Sequence, residues 1–122
     1  GVRIGTKITI GYDTPWRQVH AMMENAAARV SGLLKDPAPH VLQRALNDFY
    51  VEYEVVAVLQ DPFKRLDVLS ALHAEIQDEF NTHGVQIMSP NFEAQPDNVV
   101  LVPKEDWYKA PAQPAPSRLI PD

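Results

Sequence analysis

Alternating hydrophobic and polar residues predict four β-strands in this chain. A period of two places successive side chains on opposite faces of a strand, so each segment has one face suited to burial. Gly5 and Thr6 interrupt the first strand, where we expect a bulge or a bend. Asn47 and Asp48 form a turn between the second and third strands. The predicted strands span residues 2–12, 41–46, 49–60 and 85–88.

The first and third of these strands have clear buried faces. Alternate positions carry an apolar or aromatic side chain, and the positions between them are largely polar at the start of each strand. The predicted inward residues are Val2, Ile4, Ile8, Ile10 and Tyr12 on the first strand, and Phe49, Val51, Tyr53, Val55, Ala57 and Leu59 on the third.

Two segments with the period of an amphipathic helix separate the strands. Each begins with a capping residue followed by proline, at Thr14 and at Asp61. Gly32 and Gly84 supply the C-terminal stops. The predicted apolar stripes are Trp16, Val19, Met23, Ala26, Ala27 and Val30 in the first helix, and Leu66, Leu69, Leu72, Ile76 and Phe80 in the second.

The element order predicts a ferredoxin-like α/β sandwich, an α+β fold with βαββαβ topology. Two right-handed crossovers place both helices on one face of a four-stranded antiparallel sheet. A single apolar stripe on each helix suits packing on one side of a sheet. The other sheet face carries Tyr50, Glu52 and Glu54, so this part of it meets water.

The composition changes after Pro90, since seven of the eleven prolines lie from Pro90 onward. One short β-prone segment stands alone in this region, and a lone strand needs a partner to be stable in water. It consists of Asn98, Val99, Val100, Leu101 and Val102.

Composition excludes several classes of function. The 122 residues fit one domain, carry a formal charge of −5 and include no cysteine, which excludes disulfides and thiolate metal sites. The acidic balance argues against binding to nucleic acid. No apolar run approaches the about 20 residues of a membrane span. The chain begins at Gly1 without methionine, so we expect it to be a fragment or a processed product.

No catalytic motif is complete in this sequence. His73 and Glu75 match half of a zinc deaminase signature, but the cysteines of the other half are absent. His20 and Glu24 share a helix face, which permits a weak contact between them or two ligands of an incomplete metal site. Phosphate-binding and nucleophile-elbow glycine motifs are absent. We therefore predict no enzymatic activity, no cofactor and no bound metal.

Several short stretches, in this order and spacing, resemble the C-terminal region of small-conductance mechanosensitive channels, the MscS-like family. The resemblance runs over about residues 2–102. The stretches are KITIGYDTPWRQV (7–19), LLKDPAP (33–39), LNDFYVEY (46–53), IQDEF (76–80), GV (84–85) and IMSP (87–90).

The resemblance implies the cytoplasmic vestibule domain of a homo-heptameric ion channel of the cell inner membrane. Such domains assemble subunits and filter ions and small solutes below a pore that opens under membrane tension during osmotic downshock. The membrane-spanning helices of the family lie upstream and are absent here. In the family a short strand follows the domain and closes a small barrel between subunits. The segment 98–102 occupies that place, and Glu52 and Glu54 are candidate vestibule-lining residues.

On this basis we divide the chain into four segments. Residues 1–12 are the end of an upstream β domain or the first strand, and residues 13–92 are the ferredoxin-like vestibule domain. Residues 93–103 contain the oligomerising strand, and residues 104–122 form a flexible proline-rich tail.

Two other interpretations remain open from the sequence. The fold alone also permits a soluble regulatory module that binds a small molecule at a subunit interface. An enzyme with a site built from scattered carboxylates and histidines is the third. For Glu52 and Glu54, the alternative to a vestibule wall is an ordinary solvated sheet face.

Overall fold

The computed structural model describes residues 2–88 and 101–113. Within them the chain forms four strands, two α-helices and two short 3-10 helices. The strands are β1 (Arg3–Gly11), β2 (His40–Leu46), β3 (Tyr50–Val58) and β4 (Ile87–Met88). The helices are α1 (Trp16–Ala28) and α2 (Arg65–Thr82), and the 3-10 helices are Pro62–Lys64 and Lys104–Asp106.

The strands form one antiparallel sheet in the order β2-β3-β1-β4. β1 and β3 are therefore the central strands. The crossover through α1 leads from β1 to the edge strand β2, and the crossover through α2 leads from β3 to the other edge strand, β4. This arrangement confirms the predicted ferredoxin-like α+β fold. The last strand is shorter than predicted, because only Ile87 and Met88 pair with β1.

The hydrophobic core lies between the sheet and the two helices. Burying one large aliphatic or aromatic side chain contributes about 1.5–3 kcal/mol to stability. The fully or nearly fully buried members include Ile4 and Ile10 of β1, Val51, Tyr53 and Val55 of β3, Val19, Met23, Ala26 and Ala27 of α1, and Leu72, Ile76 and Phe80 of α2.

The predicted irregularity in β1 is wrong. β1 pairs with β3 in unbroken register from Arg3 to Gly11, and the register shift occurs instead in β2, between Gln43 and Ala45. Gly5 has a different role, since a Cβ at this position would collide with the Glu54 carboxylate on the neighbouring strand. The glycine makes room for a side chain and does not bend its own strand.

The two predicted helix starts have different outcomes. Asp61 caps as expected, because the Phe63 N–H donates to its Oδ1 at 3.0 Å, although the element that it opens is the 3-10 helix preceding α2. Thr14 does not cap α1, where Pro15 occupies the N-cap position without a side-chain hydrogen bond. At the other end, α1 stops at Ala28, before Gly32, which adopts the left-handed region at φ 100° in the following loop.

Some predicted inward residues lie at the surface. Leu66 is 77% exposed, whereas Val68, which the predicted stripe omitted, is buried. These positions are two residues apart and point about 200° apart around a helix. The buried row of α2 therefore follows a spacing of four, through positions 68, 72, 76 and 80.

The ends of the predicted strand faces are also exposed. Val2 lies before the first residue of β1, Tyr12 lies after its last, and Phe49 precedes β3. Trp16, at the start of α1, is exposed as well. These four residues lie at or just beyond the ends of their elements and outside the buried core.

The structure describes part of each of the four predicted segments. Residues 3–11 form a central strand of the same sheet as the rest of the domain. Within the predicted tail, Lys104–Asp106 form a 3-10 helix. Asn98, Val99 and Val100 lie outside the described residues, as does the tail from position 114.

Candidate functional site

The sheet face opposite the helices, which we call the open sheet face, carries both candidate vestibule residues. Glu54 lies in register with Lys7 on β1 and Leu42 on β2, and Glu52 lies in register with Thr9 and Ala45. This face is defined by Arg3, Lys7, Thr9, Leu42, Arg44, Glu52, Glu54 and Val56.

Cationic side chains accompany the two carboxylates on this face. Arg44 Nε lies 3.5 Å from Glu54 Oε1, and the Glu54 side chain is only 19% exposed. The β2 irregularity beside Gln43 positions Arg44 for this contact. Counting Arg3, Lys7 and Arg44 against the two glutamates gives the open sheet face three cations and two anions. The face therefore has nearly balanced charge and is not an acidic surface.

Leu101 and Val102, the described part of the predicted assembly strand, lie against the C-terminal end of α2. The Val102 N–H donates to Asn81 Oδ1 at 3.3 Å, and the Val102 carbonyl accepts from Trp107 Nε1 at 3.0 Å. Leu101 Cδ1 lies 4.0 Å from the position of a Cβ built on Gly84. Neither residue belongs to a strand in this structure.

An ion-pair cluster around the buried Glu79 carboxylate, which the sequence analysis missed, joins the two helices. Arg29, which caps α1, places Nε 2.6 Å from Glu75 Oε1 and Nη1 2.7 Å from Glu79 Oε1. His83 Nε2 lies 3.1 Å from Glu79 Oε2. Glu79 has a side chain only 7% exposed, whereas that of Arg29 is 44% exposed. The signal in the sequence was the spacing of four between positions 75, 79 and 83, which places them on one helix face.

Burial and neighbouring charges shift the pKa of three groups. The hydrogen bond from Arg29 to Glu75, together with Glu79, holds the pKa of the Arg29 guanidinium above its ordinary value despite partial burial. Burial, with a smaller effect of Glu75, raises the pKa of Asp78, although Lys104 and Arg29 act in the opposite direction. Burial raises the pKa of the Tyr53 hydroxyl, with a further effect of Tyr12.

His73 and His20, the two histidines considered as site residues, contact neighbouring side chains of the fold. His73 Nε2 forms a hydrogen bond with Thr6 Oγ1 at 2.5 Å, and its sequence neighbour Glu75 binds Arg29. The His20 ring packs edge to face with Trp16 and Tyr53, at centroid distances of 5.0 and 5.8 Å. No group of three or more metal-ligating side chains converges within residues 2–88 and 101–113. Neither described helix is long and apolar enough to cross a bilayer.

Comparison with known proteins identifies the family to which the chain is similar. Residues 4–87, which include both helices and all strand residues except Arg3 and Met88, match the family model described as "Mechanosensitive ion channel MscS, C-terminal". No curated protein matches the chain.

Solved structures of a plant channel share the fold. Two cryo-EM structures of MSL1 from Arabidopsis thaliana align with TM-scores of 0.59, at 16% and 15% sequence identity. Each alignment covers 71% of this chain, and the chain spans about a third of MSL1, 32% and 33% respectively. At this identity the likeness shows the fold, while the family match over most of the chain shows the relationship. The chain therefore belongs to the family of MscS mechanosensitive ion channel C-terminal domains.

Proposed function

We propose that this domain forms part of the cytoplasmic vestibule of a mechanosensitive ion channel. There it joins subunits of a homo-heptamer and filters the ions and small solutes that reach a tension-gated pore during osmotic downshock. The observation that carries this proposal is the family match over residues 4–87, which spans both helices and nearly the whole sheet. The pore itself would lie in segments of the full-length protein that this chain does not contain.

Patch-clamp recording from liposomes that contain the full-length protein tests the channel activity. Stepwise suction should open a current at a reproducible membrane tension, and liposomes without the protein should give none. A protein that inserts and assembles but passes no tension-dependent current would contradict the proposal. Survival of osmotic downshock by cells whose own mechanosensitive channels are deleted gives the physiological readout.

We further propose that the open sheet face, with Glu52 and Glu54, lines the vestibule. Because Arg3, Lys7 and Arg44 share this face, its formal charge is +1 per subunit, and a ring of subunits multiplies this small excess. Charges within about a Debye length of 8 Å act on passing ions at physiological salt. The domain would then favour anions slightly and would not concentrate cations.

Reciprocal substitutions in the full-length channel test this second proposal. Glu52→Gln with Glu54→Gln raises the face to +3 per subunit and should increase the anion-to-cation permeability ratio. Lys7→Gln with Arg44→Gln lowers it to −1 and should decrease that ratio. The reversal potential under a salt gradient measures both. If neither pair moves the reversal potential, the open sheet face does not line the permeation path.

The segment of Asn98, Val99, Val100, Leu101 and Val102 is proposed as the assembly strand. A single strand leaves its backbone N–H and C=O groups unpaired on both edges. Copies of the segment from several subunits, closed into a parallel barrel, would satisfy one another and leave no edge. The β-prone composition of the segment and its position after the domain support this role.

A further inference from the structure

The backbone of Val102 has both of its polar groups satisfied within the chain. Its N–H donates to Asn81 Oδ1 at 3.3 Å, and its carbonyl accepts from the Trp107 indole at 3.0 Å. The indole reaches back five residues because Lys104–Asp106 form one turn of 3-10 helix, in which the Trp107 N–H donates to the Lys104 carbonyl at 3.1 Å. Lys104 Nζ lies 5.8 Å from the centroid of the Trp107 ring.

Further contacts hold the same segment at the end of α2. Asp78, Asn81 and Gly84 are spaced by three residues, which places the first two on one face of the last helical turns. Leu101 packs at Gly84, where the absence of a side chain leaves space for it. Leu101 and Val102 thus lie along one side of the α2 terminus and are held there by an apolar contact and a hydrogen bond.

These contacts oppose the pairing that an assembly strand requires. In a β-ladder, the N–H and C=O of one residue point toward the same neighbouring strand. Asn81 and Trp107 occupy both groups of Val102, so this edge is not available to another chain while the contacts persist. A closed barrel needs both edges of every strand, so assembly through Val102 requires these two hydrogen bonds to exchange for intermolecular ones.

We propose that the C-terminal end of α2 is a latch that competes with self-assembly. In a separate chain, Asn81 and Trp107 hold Leu101 and Val102 docked on the domain. In the assembled state, Leu101 and Val102 leave these contacts and pair with a second copy of this chain. The inference rests on the proposed function, which assigns the segment 98–102 to assembly. The latch would keep the backbone N–H and carbonyl of Val102 occupied until enough copies meet to form a closed barrel.

Sedimentation velocity on the 122-residue chain over a range of concentrations tests the latch. Asn81→Ala removes the acceptor for the Val102 N–H, and Trp107→Phe removes the indole donor but keeps a ring. Loss of one hydrogen bond should weaken docking by about fivefold. We therefore expect each variant to assemble at a concentration about fivefold lower than the wild type. Gln77→Ala is the matched control, because Gln77 lies one turn earlier on α2 and, within residues 2–88 and 101–113, its side chain donates to the His73 carbonyl at 3.4 Å and not to residues 101–104.

Hydrogen exchange at low concentration supplies a second readout that does not depend on assembly. The Val102 amide should exchange about fivefold faster in Asn81→Ala than in the wild type, while amides of β1 and β3 keep their protection. Far-UV circular dichroism confirms that each variant is folded. An unchanged Val102 exchange rate would show that the docked state is absent, and would overturn the proposal.

Leu101→Asp separates failure of the latch from failure of the proposed function. If this charge abolishes assembly but Asn81→Ala and Trp107→Phe leave the assembly concentration unchanged or raise it, the strand assembles the chain and the latch is wrong. If Leu101→Asp assembles as the wild type does, the strand is not the assembly element, and both proposals are wrong. A chain that stays monomeric in every variant overturns both as well.

Discussion

Removing the positive charge of Arg29 should destabilise the domain far more than its surface position indicates. The guanidinium lies within 2.7 Å of Glu79, whose side chain is only 7% exposed, so Arg29→Gln leaves a buried carboxylate with His83 as its remaining partner. Breaking a fully buried ion pair costs about 3–5 kcal/mol. An exposed pair contributes about 0–1 kcal/mol. Since Arg29 is itself 44% exposed, we expect a loss of about 2 kcal/mol.

Urea unfolding followed by far-UV circular dichroism measures this loss, provided that the slope with denaturant is unchanged. Arg17→Gln is the matched control, since Arg17 is an exposed residue of the same helix that packs over the Trp16 ring at 4.2 Å. We expect that variant to stay within about 0.5 kcal/mol of the wild type.

A double-mutant cycle shows whether the burial of Glu79 is the cause. Replacing both partners by neutral residues removes the unpaired charge, so Arg29→Gln with Glu79→Gln should be more stable than Arg29→Gln alone. The coupling free energy should be about 1–2 kcal/mol. A coupling close to zero, or an Arg29→Gln loss equal to that of the Arg17 control, would refute the reasoning.

Four further substitutions test other features of the fold. Gly32→Ala should cost about 2–4 kcal/mol in urea unfolding, because φ is +100° and the new Cβ would lie 2.7 Å from Val68 Cγ2. Gly84→Ala should cost about 1 kcal/mol in the same assay, because the nearest atom among the described residues lies 4.0 Å from the new Cβ. Leu72→Ala should cost about 3 kcal/mol by the same assay, since this side chain is fully buried. Asp78→Asn should raise the melting temperature at pH 7 but not at pH 3. Burial raises the pKa of Asp78 in the folded protein. The protonated carboxyl therefore stabilises the fold at pH 3, and this stabilisation is lost as pH rises through the folded-state pKa. At pH 7 the neutral Asn avoids the cost of the charged carboxylate.

Each of these predictions has a defined contrary result. Equal losses for the two glycine variants would show that the contact with Val68 adds nothing. Leu66→Ala, at a position 77% exposed, is the control for Leu72→Ala, and similar losses at both would refute the assignment of the α2 buried face. A melting temperature that Asp78→Asn leaves unchanged at pH 7 would show that burial of this carboxyl does not matter to stability.

The order of elements was predictable because periodicity is a local property. Apolar residues alternate in β1 and β3 and recur with helical spacing in α2. In each element they share one face, and the core forms where these apolar faces pack together. The short stretches from position 7 to position 90 carried the family resemblance, which the family match confirmed. The assembly strand, the domain boundaries and the vestibule roles of Glu52 and Glu54 remain predictions.

The errors of the sequence analysis occur where a neighbouring element decides the outcome. Gly5 is the clearest example, since its role depends on the Glu54 side chain of another strand. Leu66 was placed in the core because its spacing to Leu69 is helical, but it lies in the first turn of α2 and is 77% exposed, whereas Leu72, Ile76 and Phe80 of the same stripe are buried. Helical spacing alone does not specify how far toward the end of a helix its apolar stripe stays covered.

The amino-acid sequence alone determined the fold class, the faces of the sheet and the absence of cysteine chemistry. Each depends on residue type and short-range spacing, which physical chemistry converts directly into buried and exposed positions. Only the tertiary structure decided that Arg44 balances Glu54, that Arg29 joins Glu79, and that Val102 lies on α2. These contacts join residues that are 10, 50 and 21 positions apart. Which residues meet depends on how the helices and strands pack, and this cannot be predicted from spacing along the chain.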